Sequence, residues 1–136
     1  MAKFVATDYV IEIDTTDFSE SIAAATLEIS VDEQETTSFS ADYRTRIGGL
    51  KDASLTLDFH QDFGADSIDA TLFPLLGQTV AFSITPTSGA VSATNPSYSG
   101  NALVTSYSPF ANSVGDLATF SVTWPVTGDV TRSEGA

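Results

Sequence analysis

Apolar and polar residues alternate strictly in five separate stretches of the chain. Because successive side chains of a β-strand point to opposite faces of a sheet, each stretch predicts a strand with one face on a core and the other in water. The apolar members are Tyr9, Ile11 and Ile13; Leu27, Ile29 and Val31; Ala53, Leu55, Leu57 and Phe59; Val80, Phe82 and Ile84; and Ala118, Phe120, Val122 and Trp124. Residues 99–108 form a weaker sixth stretch. The pattern is typical of antiparallel sheets, so we expect a mainly β fold, an antiparallel β-sandwich or barrel.

One segment, at about residues 66–76, has a helical pattern instead. Its apolar residues recur at spacings of four, seven and eight, which places them on one face of an α-helix. These residues are Ile68, Leu72, Leu75 and Leu76. Asp66 is suited to cap the start of the helix and Gly77 to end it. We therefore predict one short helix that flanks the sheet.

The stretch from about residue 32 to about residue 52 has no periodicity, although good strands flank it. Loops longer than about 12–15 residues are uncommon in compact domains unless they have a function. This predicted long loop holds the basic residues Arg44, Arg46 and Lys51, and a Gly48-Gly49 pair that we interpret as a turn. No linker divides the chain, so residues 1–136 are predicted to form a single domain.

Charge is distributed unevenly along the chain, whose 18 acidic and 5 basic residues give a formal net charge of −13. Residues 1–69 hold 15 acids and 4 bases, whereas residues 70–136 hold 3 acids and 1 base together with 20 Ser and Thr residues. The acidic balance argues against binding to a phosphate backbone, which depends on Lys and Arg. The asymmetry indicates two surfaces with different roles, although one solvated acidic face that favours solubility explains it equally.

The residue types present offer little catalytic or metal-binding chemistry. The chain has no Cys, which excludes disulfides, thiolate zinc sites and a Cys nucleophile. His60 is its single histidine, and with Asp58 and Asp62 it shares one predicted strand face. A metal site of two carboxylates and one imidazole is conceivable there, but we interpret this face as a solvated polar surface. Neither a Gly-x-Ser-x-Gly elbow nor a phosphate-binding loop is present. We expect no enzymatic activity, no cofactor and no metal.

Nothing in the sequence predicts export or membrane insertion. No apolar run approaches the roughly 20 residues of a membrane helix. The first eight residues contain no apolar segment of the kind found in signal peptides. We therefore expect synthesis inside the cell and no membrane partner.

The order of these elements resembles a known family over about residues 5–131. Two alternating strands lead to the loop with Arg44, Arg46 and the glycine pair, and an amphipathic strand, a short helix and Ser/Thr-rich strands follow. The chain then closes on Phe120-Ser121-Val122-Thr123-Trp124, with Thr127-Gly128-Asp129 shortly after. This layout is similar to the major tail (tail tube) proteins of long, non-contractile-tailed bacteriophages. That family is kin to contractile-tail tubes and to the tube proteins of type VI secretion.

The resemblance implies a structural virion protein, made in the host cytoplasm, whose hexameric rings stack into the tail tube. Its partners would be further copies of itself and other tail proteins such as the tape measure and terminator. During ejection DNA would pass through the tube without being specifically bound. Two other interpretations stay open: a small adhesion or carbohydrate-binding β-sandwich, and another tail component of the same fold, such as a tail terminator.

Two groups of residues are candidates for the contacts of such a tube. We expect Arg44, Arg46 and Lys51 to contact a neighbouring ring or subunit, since Arg pairs well with carboxylates. We expect carboxylates on the polar sides of the strands to line the channel, where they would repel DNA phosphates. These acidic candidates are Glu12, Glu28, Asp58 and Asp62. An outer wall that faces bulk solvent is the alternative position for them.

Overall fold

The computed structural model describes residues 5–14, 16–64 and 67–135. The strands are β1 (Val10–Ile13), β2 (Thr16–Asp17), β3 (Ile22–Glu35), β4 (Arg46–His60), β5 (Thr79–Thr85), β6 (Ser97–Leu103) and β7 (Thr119–Ser133). A 3₁₀ turn at Ser19–Ser21 joins β2 to β3, and the helix α1 spans Ile68–Leu75. The predicted fold class, mainly β with antiparallel strands and one short flanking helix, is confirmed.

All seven strands of the described residues form one antiparallel sheet in the order β2-β1-β5-β6-β7-β4-β3. The sheet bends so far that its two ends share a core: the ring of Phe18, next to β2, meets the ring of Phe59 in β4 edge-on, with centroids 6.3 Å apart. Even so, β2 and β3 do not pair with each other, and both remain edge strands. The architecture is therefore barrel-like but open.

The core lies on the concave side of the sheet and is built from the alternating residues that the sequence singled out. Cross-strand register aligns Leu55 of β4 with Trp124 of β7, and Phe59 with Phe120, whose ring it stacks on at 5.0 Å. Trp124 is fully buried, and its indole N–H donates to the carbonyl oxygen of Ser106 at 3.0 Å. That bond satisfies the one polar group that the large side chain brings into the core.

Helix α1 covers one end of this core with the apolar face that the spacing predicted. Ile68 and Leu72 are buried, and Leu75 packs against the same cluster. The helix ends at Leu75, and Gly77 shortly after it has a φ of +82°, which glycine readily adopts. The Gly77 N–H donates to the carbonyl oxygen of Val104 at 2.8 Å. Asp66, the predicted N-cap, lies outside the described residues; Ser67 occupies the N-cap position.

The predicted long loop at about 32–52 is wrong. Strands β3 and β4 continue through most of it as an antiparallel hairpin, so that only residues 36–45 connect them. A register shift between Val31 and Glu33 accommodates the Gly48-Gly49 pair, which lies within β4 and forms no turn. The sequence pattern was lost because this part of the hairpin has no core face to impose alternation and because the shift changes the phase of the strand.

The sixth stretch is confirmed only in part. Strand β6 begins at Ser97 and ends at Leu103, whereas residues 104–108 leave the sheet. Val104 turns inward and exchanges backbone hydrogen bonds with the end of the helix, while Tyr107 packs its ring edge-on against Phe120. The stretch has apolar residues on both faces because its second half is a coil segment that packs on the core.

Candidate assembly surfaces

The far half of the β3–β4 pair, residues 28–53 and here called the hairpin, extends beyond the rest of the sheet. Strand β4 pairs with β7 from Ser54 to His60, and within the described residues its Arg46–Ala53 part has β3 as its one strand partner. The connecting residues are held by the Thr36 N–H, which donates to the carbonyl oxygen of Thr45 at 2.7 Å. The hairpin is thus a two-stranded ribbon, a structure of marginal stability in water on its own.

Several large apolar side chains of the hairpin are in contact with solvent. Ile47 is 61% exposed and Leu50 is 81% exposed, and Phe39 and Tyr43 project from the connecting residues. Ile29 and Val31 are about half exposed on β3. Large apolar side chains exposed together on one projecting segment favour a protein interaction site.

The predicted contact residues Arg44, Arg46 and Lys51 all belong to this hairpin. Arg46 forms an ion pair with Glu33 on the facing strand, and Arg44 Nη1 lies 4.0 Å from the Glu35 carboxylate. Lys51 is opposite Val31 in the strand register. Because exposed ion pairs contribute only about 0–1 kcal/mol, these arginines can exchange their carboxylate partners at little cost.

Three of the four acidic candidates lie on the convex, outer face of the sheet. Glu12 is paired with Ser83, Glu28 with Ser54, and Asp58 with Ser121, each between inward-pointing neighbours. Asp62 does not share this face. Strand β4 ends at His60, and the Asp62 carboxylate accepts the Gly64 N–H at 2.9 Å in the following loop. The alternating pattern had predicted that the strand continues to Asp62, beyond its observed end at His60.

The outer face is also rich in hydroxyl groups, which the sequence-based candidates did not include. The Ser121 hydroxyl donates to the Asp58 carboxylate at 2.5 Å, and the Thr56 and Thr123 hydroxyls lie 3.2 Å apart across β4 and β7. Ser83, Ser99, Thr127 and Thr131 continue this surface along β5, β6 and β7. The alternation of Ser and Thr with core residues in these strands was the signal that could have identified it.

The two ends of the molecule differ in their content of basic residues. Every cation among the described residues lies toward the hairpin end: Arg44, Arg46, Lys51 and Arg132. The opposite end holds the helix, the 3₁₀ turn and the loop before β7, and its charged side chains in the described residues are acidic. They are Asp17, Glu20, Asp62, Asp69 and Asp116. The hairpin end also holds acidic residues, among them Asp32, Glu33, Glu35, Asp42 and Asp52, so the two ends differ in their content of cations and not in the sign of their net charge.

The partly buried phenol of Tyr107 links separate segments at the acidic end of the molecule by hydrogen bonds. Tyr107 donates its O–H to the Asp69 carboxylate at 2.7 Å and accepts the side-chain N–H of Gln61 at 3.1 Å. Burial, reinforced by the hydrogen bond to Asp69, raises the pKa of Tyr107 to about 12. These bonds link the helix, the end of β4 and the coil that follows β6.

The described part of the chain shows no group of residues placed to hold a metal ion and no helix that could span a membrane. Asp58, His60 and Asp62 do not converge, and no other set of three or more His, Cys, Asp or Glu side chains there is placed to hold a metal ion. Helix α1, with eight residues, is far too short to cross a bilayer, and residues 5–14, 16–64 and 67–135 contain no other helix that could do so.

Two chains in solved structures of gene transfer agent particles have the same fold as this chain. No protein-family model matches the chain, and no curated protein sequence does. A chain in the virion of a native gene transfer agent particle matches with a TM-score of 0.73 and 17% identity, over 93% of this chain and 95% of that chain. A chain in the tail of an empty gene transfer agent particle, computed with helical refinement and C6 symmetry, matches with a TM-score of 0.65 and 16% identity, over 82% and 81%. At the level of the fold, the resemblance to tail proteins is confirmed.

Proposed function

We propose that this chain is a structural tail protein whose copies form six-membered rings that stack into a tube. The observation that carries the proposal is the shared fold with a gene transfer agent virion chain over nearly the full length of both chains. The second similar chain comes from a tail treated with six-fold symmetry, which supports the ring size. The role is structural and not catalytic, and the genome passes through the tube during ejection.

Free strand edges support lateral association of the copies within a ring. The outer edge of β3 has no strand partner in the described part of the chain over its 14 residues, and β2 forms the other edge of the sheet. Unpaired edge strands readily pair with a strand of another chain. Head-to-tail pairing of two different edges closes into a ring when the rotation per subunit fits.

The position of the basic residues supports contact between successive rings. Arg44, Arg46 and Lys51 lie on a projecting hairpin, and the opposite end of the molecule has acidic side chains. A hairpin from one ring that reaches the acidic end of the next would exchange intramolecular ion pairs for intermolecular ones. Carboxylates on the receiving side would suit the forked donors of the arginines.

The outer face of the sheet is suited to line the channel. Glu12, Glu28 and Asp58 lie there among Ser and Thr side chains, and none of the described cations belongs to it. Asp62, in the loop beyond β4, would lie at the rim of the same passage. Six chains of formal charge −13 would give a ring of −78 charges, which repels phosphates. DNA would therefore pass without specific binding, and the tape measure and terminator proteins would contact the inside and the end of the tube.

Electron microscopy of the purified protein, combined with light scattering, tests the proposal. Uniform tubes with six-fold rings are the expected result. Isolated rings that never stack would instead indicate a tail terminator. Stable monomers at high concentration that bind glycans would overturn the proposal in favour of a carbohydrate-binding β-sandwich.

A further inference from the structure

Two stacked aromatic rings stand beside carboxylates at the acidic end of the molecule. The rings of Phe63 and Phe110 have centroids 5.5 Å apart, and the two residues are 55% and 84% exposed. Asp62 directly precedes the first ring and Asp116 lies in the same loop as the second, while residues 61–118 contain no Lys or Arg. Because a guanidinium both stacks on aromatic faces and pairs with carboxylates, this surface is suited to an arginine side chain.

Hydrogen bonds hold the aromatic pair in place within the single chain. The side-chain N–H of Gln61 donates to the carbonyl oxygen of Pro109 at 3.1 Å, which joins the segments that carry the two rings. The side-chain N–H groups of Asn112 donate to the carbonyl oxygens of Leu117 and Thr119 at 3.3 and 3.0 Å. A partner would therefore meet a surface that is already formed, which lowers the entropic cost of binding.

Arg44 is the described cation best placed to reach such a surface. Its side chain is 71% exposed, and its Nη1 lies 4.0 Å from the Glu35 carboxylate, at the limit of an ion pair. Arg46 and Arg132 are less exposed and have closer carboxylate partners. Lys51 lies within β4 and lacks the flat guanidinium that stacks on a ring.

The connecting residues 36–45, here called the tip, offer aromatic surface beside Arg44. Phe39 and Tyr43 are almost fully exposed there. The tip also contains Asp42, so its net charge is zero and the match to the acidic end depends on one guanidinium together with apolar contact. Exposed aromatic and Arg side chains are the types that contribute most to protein interfaces.

The tip and the aromatic pair lie at opposite ends of β4. This strand runs from Arg46, next to the tip, to His60, shortly before Phe63. Its 14 residue steps correspond to about 46 Å of extended chain. The two surfaces therefore do not meet within one molecule, and each requires a second molecule to be covered.

We propose that the Phe63–Phe110 pair with Asp62 and Asp116 binds the tip of a second copy, with the Arg44 guanidinium on the rings. This rests on the self-assembly proposed above and assigns the receiving surface for the hairpin. Opposite ends of one chain then meet along the strand direction, and the contact repeats to form a head-to-tail stack.

Exchange of charges between the two surfaces tests the contact. Asp116→Arg should raise the protein concentration needed for assembly by about tenfold, because the new cation repels the arriving Arg44. Addition of Arg44→Glu should return that concentration to within about threefold of wild type, because the ion pair forms again with its charges reversed. The matched control is Asp116→Arg with Arg132→Glu, which has the same net charge and should not recover. Melting temperatures below the assembly concentration verify that each variant is folded.

Engineered disulfides provide a second measurement, since the chain contains no Cys. Ala41→Cys with Ala111→Cys places exposed thiols in the tip and next to Phe110 and keeps every side chain of the proposed contact. Oxidation of the assembled variant should give a ladder of covalent multimers on a non-reducing gel, because a disulfide requires Cβ atoms about 4 Å apart. The matched control is Ala41→Cys with Ala81→Cys, whose second thiol lies on the outer face of β5.

The outcomes separate this inference from the proposed function. Recovery specific to Arg44→Glu and a ladder specific to the test pair support the contact. Tubes that form while the control exchange recovers equally, or while the test pair gives no more ladder than its control, overturn the inference and leave the proposed function standing. A wild-type chain that does not assemble overturns both.

Discussion

The body of the sheet and the hairpin are both made of antiparallel strands, but they differ in what lies behind their apolar side chains. In the body, Leu55, Leu57 and Phe59 of β4 are fully buried against β7. In the hairpin, the apolar residues that come earlier in the same strand, Ile47 and Leu50, are largely exposed. One strand thus passes from a folded core into an exposed ribbon, which a neighbouring copy would cover in the proposed tube. Stability is concentrated in the first part, and we propose that assembly depends on the second.

The largest effect should come from truncation of the core. Trp124→Ala removes a fully buried indole and leaves the Ser106 carbonyl oxygen without its donor. We expect a loss of about 3–5 kcal/mol in the free energy of unfolding, measured by urea denaturation. The matched variant is Leu50→Ala in the hairpin, for which a change below about 0.5 kcal/mol is expected. Equal losses in the two variants would mean that the hairpin has a core of its own.

The next effect concerns assembly rather than folding. Arg44→Glu combined with Arg46→Glu should block tube growth, because both side chains would then repel the acidic end of the next copy. The monomer should keep its melting temperature, since the ion pairs with Glu33 and Glu35 are exposed. Tube length by electron microscopy is the measurement.

A charge-conserving variant provides the control for this pair. Arg44→Lys with Arg46→Lys keeps both charges and loses the forked geometry, so shorter tubes that still grow are expected. Tubes of normal length from the glutamate variant would contradict a role for these arginines in stacking.

The same contrast between body and hairpin explains what the sequence could predict. Burial on one face enforces a period of two, so Phe120, Val122 and Trp124 indicated both their strand and their core position. The helix was equally clear, because Ile68, Leu72 and Leu75 follow its own period. Where no core selects the residues, the pattern carried no such information, and the strands between Asp32 and Asp52 were predicted as a loop.

The candidate residues were predicted with mixed success for a related reason. Alternation correctly assigned Glu12, Glu28 and Asp58 to the face opposite the core. It failed for Asp62, because a period of two does not indicate where a strand stops. The stacked rings of Phe63 and Phe110, 5.5 Å apart, join residues far apart in the chain, and no local pattern could have predicted that contact.

Hydrogen exchange should resolve the two regions within one molecule. In the unassembled chain, amides of the body strands at 54–60 and 119–124 should exchange slowly, and those at 46–53 much faster, since local opening of a two-stranded ribbon requires little free energy. Assembly should then protect residues 46–53 while the body changes little. Mass spectrometry of peptides from both states measures the difference. Full protection of 46–53 before assembly would contradict the view that a partner completes the hairpin.

The smallest effect is a pH-dependent one in the body. Tyr107→Phe removes the hydrogen bonds to Asp69 and Gln61, and we expect a loss of about 1 kcal/mol in unfolding free energy at pH 8. Because the pKa of Tyr107 is raised to about 12, well above its ordinary value, the unfolded chain loses the phenol proton before the native chain does. The stabilisation by Tyr107 is therefore complete below about pH 10 and declines as the pH rises towards 12. The free-energy difference between wild type and Tyr107→Phe should shrink over that interval, since all other titrating groups are common to both. Parallel stability curves between pH 8 and pH 12 would show that this phenol does not link the helix to the sheet in the way the hydrogen bonds indicate.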